Sequence, residues 1–151
     1  DAESYVYASY QGNSNTSLIA QPWQVFVPMI TQPKDMCEPN NGLSQAQCAL
    51  KTGETYRAYL TSPGEWDVYA IDVPTDHIIE VWLEQIPTAN DYDLYLFDAE
   101  GVRQGYSANI GNANEHIRTS QQLPGGRYYV AVKGVTGSST TRSYSFRSVF
   151  R

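Results

Sequence analysis

Chemistry needs nucleophiles, acids, bases or metal ligands at usable spacing, and this chain offers few. Its two histidines, His77 and His116, each stand at the start of a strand-like run. A histidine so placed is a structural or surface residue unless a reacting partner faces it. Serines are frequent, yet no Gly-x-Ser-x-Gly elbow presents one as a nucleophile. Close carboxylates occur as Asp91 with Asp93 and as Asp72 with Asp76. A glycosidase needs its two carboxyl groups across a cleft, which neighbours in one turn do not supply. The acidic stretch around Asp91 reads instead as a solvated turn or a source of oxygen ligands. Gly125-Gly126 reads as a hairpin turn rather than a phosphate cradle. The expectation is a protein without catalysis of its own.

The cysteine complement is Cys37 and Cys48. With no histidine or third cysteine beside them they do not make a zinc site. In an exported protein they pair, closing a loop worth roughly 3 kcal/mol on the chain-entropy model. In a reducing compartment they are two free buried thiols. The chain opens Asp-Ala-Glu without an initiator Met, which fits a mature exported chain after removal of its leader and equally a chain trimmed at this point.

A length of 151 residues suffices for one domain with an extension, and for a sizeable core. Tyr is abundant at 12 residues and Met scarce at 2, with many Gly, Ser, Thr and Asn. That is a palette of strands and turns. A net charge of −6 argues against nucleic acid as a partner and admits a cation such as calcium. No apolar run approaches the length of a membrane span.

The elements that must position any site are strands. In Y-D-L-Y-L-F-D-A-E-G (residues 92–101), Leu94 and Leu96 take one face and Tyr95 and Phe97 the other, so this strand is placed centrally in a layered β structure. Further strands are expected at 55–61, 66–73, 77–86, 115–123, 127–135 and 143–150, with a short edge strand at 103–107 and a short helical turn within 42–50. Their even spacing, with turn signals between them, predicts an all-β sandwich or barrel. Ahead of them, S-Y-V-Y-A-S-Y-Q (residues 4–11) alternates like a strand, as does W-Q-V-F-V-P-M-I (residues 23–30). Asn15-Thr16-Ser17 matches a glycosylation acceptor triplet. Of the tyrosines, Tyr69, Tyr95 and Tyr129 are expected in the core, while Tyr5, Tyr7, Tyr10, Tyr106 and Tyr144 are freer to be exposed. Trp23, Trp66 and Trp82 with the tyrosines offer material for a flat binding platform.

The order of motifs carries a resemblance. E-P-N-N (residues 38–41) precedes Gly53-Glu54-Thr55, then S-P-G-E-W-D-V-Y-A-I-D-V (62–73), the 92–101 stretch, N-E-H-I (114–117), P-G-G-R-Y-Y-V-A-V (124–132) and S-Y-S-F (143–146). This order resembles the bacterial pre-peptidase C-terminal domain, a family that includes the collagen-binding domains of clostridial collagenases. The resemblance divides the chain into an N-terminal extension, 1–35, and a domain, 36–151. It implies a secreted, antiparallel, jelly-roll-like β-sandwich without catalysis. It also implies a calcium site, which maps onto Glu38, Asn40, Asn41 and Asp67. Relatives often carry acids where this chain has Met36 and Asn41, so the site here holds less charge.

Two functions fit. One is a structural, self-associating extracellular subunit, a homo-oligomer or a filament. There the strand formed by Tyr5, Val6, Tyr7, Ala8 and Tyr10 is donated to the next subunit's edge. The other is a targeting module of a secreted peptidase or other hydrolase, binding fibrous protein or polysaccharide.

Overall fold

The computed structural model describes residues 37–151. Tyr5, Val6, Tyr7, Ala8, Tyr10, Asn15 and Trp23 lie outside the described residues, as does the extension they belong to. Nine strands follow a short 3-10 turn at Leu43–Gln45. They are β1 (Ala49–Leu50), β2 (Thr55–Ala58), β3 (Trp66–Val73), β4 (Ile79–Glu84), β5 (Asp91–Asp98), β6 (Arg103–Ser107), β7 (Glu115–Arg118), β8 (Gly126–Thr136) and β9 (Tyr144–Phe150).

They form two facing sheets, ordered β1-β3-β8-β5-β6 and β2-β9-β4-β7. Consecutive strands alternate between sheets over much of the chain, which is the jelly-roll pattern. Period-2 alternation decides which side chains face inward. Tyr69, Ile71 and Val73 of β3, Leu94 and Leu96 of β5, and Val130 and Val132 of β8 meet Ile79, Val81 and Leu83 of β4 and Tyr144 and Phe146 of β9. Burying such a set from both sheets supplies the main driving force for the sandwich.

The sandwich departs from the sequence expectation in several places. β5 lies one strand in from the edge, and β8 is the middle strand of its sheet. β1 pairs parallel with β3, Ala49 opposite Ala70, whereas the other ladders are antiparallel. The route from β1 through β2 in the opposite sheet makes that parallel return possible. β7 stops at Arg118 because the Thr119 hydroxyl turns to serve Ile79 N and Gln121 O. Where β6 approaches β7, Gly105 leaves no room for a side chain, since a Cβ there would meet Ile117 Cγ2 at 2.7 Å.

The tyrosines sort by register rather than by composition. Tyr69 is in the core as expected. Tyr144, expected at the surface, is fully buried, because it falls on the inward face of β9. Tyr95 and Tyr129, expected in the core, are half-buried on the outer face of the five-stranded sheet, where they pack with Ala46, Val68 and Ala131. Tyr106 is exposed, as expected.

Candidate functional site

Cys37 and Cys48 are disulfide-bonded, with 5.8 Å between their Cα atoms. The bridge anchors the start of the 38–41 segment to the strand that enters beside β3. Asn40 then ties this loop to β3 directly, because its carbonyl accepts from Val68 N at 2.8 Å. Its own N–H donates to Glu38 Oε2 at 3.1 Å. Residues 38 and 40 are thereby set against the first residues of β3.

Asp67 points inward from β3 and is fully buried, and its Oδ2 accepts the Tyr144 hydroxyl. Burial, first, and the fields of Tyr69 and Asp67 push the Tyr144 hydroxyl well above its ordinary range, so its proton stays on the phenol. Glu65 arrives from the turn that precedes β3. Its Oε2 is held by the N–H groups of Thr61 and Ser62. One carboxylate oxygen each from Glu38, Glu65 and Asp67 comes within 4.8 Å of the others.

Two of the four residues expected from sequence are thus in the cluster. Asn40 is fully buried beside it in the chain, and neither polar atom of its side chain has a hydrogen-bond partner among the described residues. Asn41 is exposed. Glu65 is the residue sequence reasoning missed. Its S-P-G-E context reads as a solvated turn, and only the folded chain brings that turn to residue 38.

The donor set is hard oxygen throughout, as calcium requires. Three carboxylates at this separation repel by about 3.5 kcal/mol per pair at an effective dielectric of 20. A divalent cation would remove that repulsion, and the orphaned Asn40 amide would gain a use for its oxygen. The residues fit calcium, with Glu38, Glu65, Asp67 and Asn40 as the side chains that would hold it.

A second feature lies on the outer face of the five-stranded sheet. Trp66 of β3 and Tyr95 of β5 have ring centroids 5.2 Å apart. Tyr95 continues to Phe97 at 5.9 Å and to Tyr106 of β6 at 6.4 Å, with near-parallel rings. Lys133 sits over Trp66 and Arg103 over Tyr106. Asp93 accepts the Tyr95 hydroxyl at 3.0 Å. The strip is covered in part near Leu43 and opens toward Tyr106, which is 59% exposed.

Other polar groups serve the fold. His77 Nδ1 meets the Thr75 carbonyl at 2.8 Å, and His116 meets Glu80 at 3.0 Å. Glu115 is fully buried and accepts from Ser107 and Asn109. Its burial, with Asp93 and Asp91 adding to it, raises the carboxyl above its ordinary range despite those hydrogen bonds. A cavity of about 330 Å³ opens between Asp98, Gln104, Pro124 and Arg127. Arg127 is engaged by Asp72 through two bonds of 2.8 and 2.9 Å.

Residues 65–134 match the model of the bacterial pre-peptidase C-terminal domain family, the family the motif order resembles. Among solved structures, the pre-peptidase C-terminal domain of a collagenase from Bacillus anthracis superposes with a TM-score of 0.55 at 16% identity, over 67% of this chain and 92% of that one. A periplasmic inhibitor of g-type lysozyme from Salmonella Typhimurium aligns at 15% identity over 69% of this chain and 97% of that one, with a TM-score of 0.41. The carbohydrate-binding module CBM36, solved with calcium and xylotriose, aligns at 17% identity over 68% and 93%, with a TM-score of 0.38. No curated protein matches the chain. The first of these likenesses shows the fold, a β-sandwich of the pre-peptidase C-terminal type.

Proposed function

We propose that this chain, whose residues 65–134 carry a bacterial pre-peptidase C-terminal domain, acts as a non-catalytic binding module of a secreted protein. The observation that carries the reading is the outward aromatic strip of Trp66, Tyr95, Phe97 and Tyr106, flanked by Lys133 and Arg103. Flat rings with polar groups at their rims suit an extended polymer, either a fibrous protein or a polysaccharide. The disulfide supports an oxidising, extracellular setting.

Calcium belongs to the same reading. Bound at Glu38, Glu65, Asp67 and Asn40, the ion would supply countercharge and hold the 38–41 loop against β3. The aromatic strip starts one residue before Asp67, at Trp66, so an ordered loop here steadies one end of the strip. The self-association reading rests on residues 5–10, outside the described residues, and no described feature adds to it.

The test is co-sedimentation with insoluble collagen and with insoluble neutral polysaccharides, for the native chain and for Trp66→Ala and Tyr106→Ala. Native binding to one polymer class, weakened about tenfold or more in either variant, supports the reading. Equal binding by native chain and variants, or no binding to any polymer, overturns it.

A further inference from the structure

The outer face of the four-stranded sheet is built differently from the aromatic strip. Its outward residues include Thr55 and Arg57 on β2, Ser145, Arg147 and Val149 on β9, Glu80, Trp82 and Glu84 on β4, and His116 and Arg118 on β7, with Arg151 at its end. Four of the chain's ten lysines and arginines therefore share one face, in a protein whose net charge is −6. All four arginines are exposed.

Register places these side chains in rows. Trp82 stands opposite Arg147 on one side and opposite His116 on the other. The Arg147 guanidinium lies 4.4 Å from the Trp82 ring centroid, and the His116 ring stacks at 5.1 Å. With a neighbour on each side, Trp82 offers solvent its edge rather than a face, so it is not the platform its residue type suggests. It instead holds the Arg147 guanidinium flat, which leaves the in-plane N–H fork free.

In the next row Glu80 is buried and gathers two arginines and a histidine. His116 Nε2 lies 3.0 Å away, Arg118 Nη1 2.9 Å and Arg151 Nε 3.4 Å. Partial burial opposes its ionisation, but the hydrogen bond from His116 and the charges of Arg118, Arg151 and His116 hold the carboxyl below its ordinary range. The result is a row of net positive charge. By contrast, Arg147 and Arg57 make no ion pair among the described residues. They lie diagonally across β9 and β2, since Arg147 pairs with Thr55 and Arg57 with Ser145. Diagonal neighbours of this kind are about 7–8 Å apart at the backbone.

We infer that this face binds an acidic polysaccharide, one whose sugars each carry a carboxylate. Two unsatisfied guanidinium forks, one pre-oriented by a ring, match two carboxylates in bidentate geometry. The exposed large apolar residues, Val102, Tyr106, Ile110 and Val135, all lie elsewhere, and the apolar side chains on this face, Trp82 and Val149, are only half-exposed, so the face offers little apolar anchor for a lipid surface or a protein hot spot. Glu80 and Glu84 interrupt the positive charge, which suits one negative charge per sugar better than a densely charged chain. This binding is independent of the calcium loop and of the aromatic strip on the opposite sheet.

The experiment is isothermal titration of the native chain with sodium polygalacturonate in EDTA, at low salt and at about 0.15 M salt. Binding is expected at low salt, weaker at higher salt, and absent for fully methyl-esterified polygalacturonate. Arg57→Gln with Arg147→Gln should lower affinity about tenfold or more. Arg57→Gln alone, at an exposed position with no ion pair among the described residues, should lower it part-way with unchanged thermal stability. No binding by the native chain, equal binding of the esterified polymer, or full retention in the double variant overturns the inference.

Discussion

Replacing Tyr144 by Phe removes one oxygen from the centre of the sandwich and tests how the core and the candidate metal loop are joined. The hydroxyl donates to Asp67 Oδ2 and lies 3.0 Å from the Tyr69 hydroxyl. The ring itself stays, with its contacts to Tyr92 at 5.9 Å and Phe146 at 5.8 Å, so no cavity of consequence forms. The loss is therefore electrostatic. A hydrogen bond to a charged acceptor contributes about 1.5–3 kcal/mol, and the neutral one between the two phenols about 1 kcal/mol. We expect Tyr144→Phe to destabilise the chain by about 3 kcal/mol. For a domain of this size that lowers the thermal midpoint by roughly 10 °C. Urea unfolding with an unchanged m-value measures it, and Tyr106→Phe on the exposed side serves as the control. Asp67→Asn combined with Tyr144→Phe should cost less than the two singles together, because they break the same bond. A loss below about 1 kcal/mol, or full additivity in the double variant, refutes the reasoning.

Three other expectations concern the loop, the buried acids and the packing between sheets. Calcium at millimolar concentration should raise the thermal midpoint of the native chain and not that of Glu65→Gln or Asp67→Asn, by scanning calorimetry with magnesium as the comparison. Glu115 and Glu80 should show opposite pH slopes. Because the folded state raises the Glu115 carboxyl, its contribution is present at low pH and lost as pH rises through the folded value. Because the folded state lowers that of Glu80, its contribution is present at neutral pH and lost as pH falls through the folded value. The stability gap between native and Glu115→Gln should thus shrink from pH 4 to pH 7, about the range where carboxyls titrate, and that for Glu80→Gln should grow, as followed by urea unfolding. Gly105→Ala should destabilise by about 1–3 kcal/mol, because its Cβ meets Ile117 in a packed inter-sheet contact, and Ile117→Val should recover part of the loss.

Much of the sandwich was legible because β3, β6 and β8 carry their own punctuation. Ser62-Pro63-Gly64 opens the first, Gly101 precedes the second, and Pro124-Gly125 opens the third. β1 was not legible, since two residues carry no period and its parallel pairing depends on where β3 lies. The face a tyrosine takes was not legible either. S-Y-S-F gives alternation without saying which side is inward, and only the pairing of β9 with β4 and β2 decides that Tyr144 is inside. At the candidate metal loop, Glu38 and Asp67 were readable from motif order. Glu65 was not, because its proximity to residue 38 is a tertiary fact. The arginine face was likewise hidden, since Arg57, Arg118, Arg147 and Arg151 are scattered along the chain and meet only through strand register.

The disulfide also sets how the domain bears tension. A pull applied from the N-terminal side reaches Cys37 and crosses to Cys48 through the sulfur bridge, so residues 38–47 carry none of it. Glu38 and Asn40 sit inside that bypass and keep their geometry while the chain is strained. The force next meets the parallel pairing of Ala49 and Leu50 with Ala70 and Ile71, whose hydrogen bonds are loaded in shear and must yield together. Reducing the bridge would place the bypassed loop in series with the pull. Once the Asn40–Val68 hydrogen bond broke, it would release about 30 Å of chain before β1 felt the full force. A module holding a polymer against flow would in that state lose the order of its candidate calcium loop first and its fold afterwards.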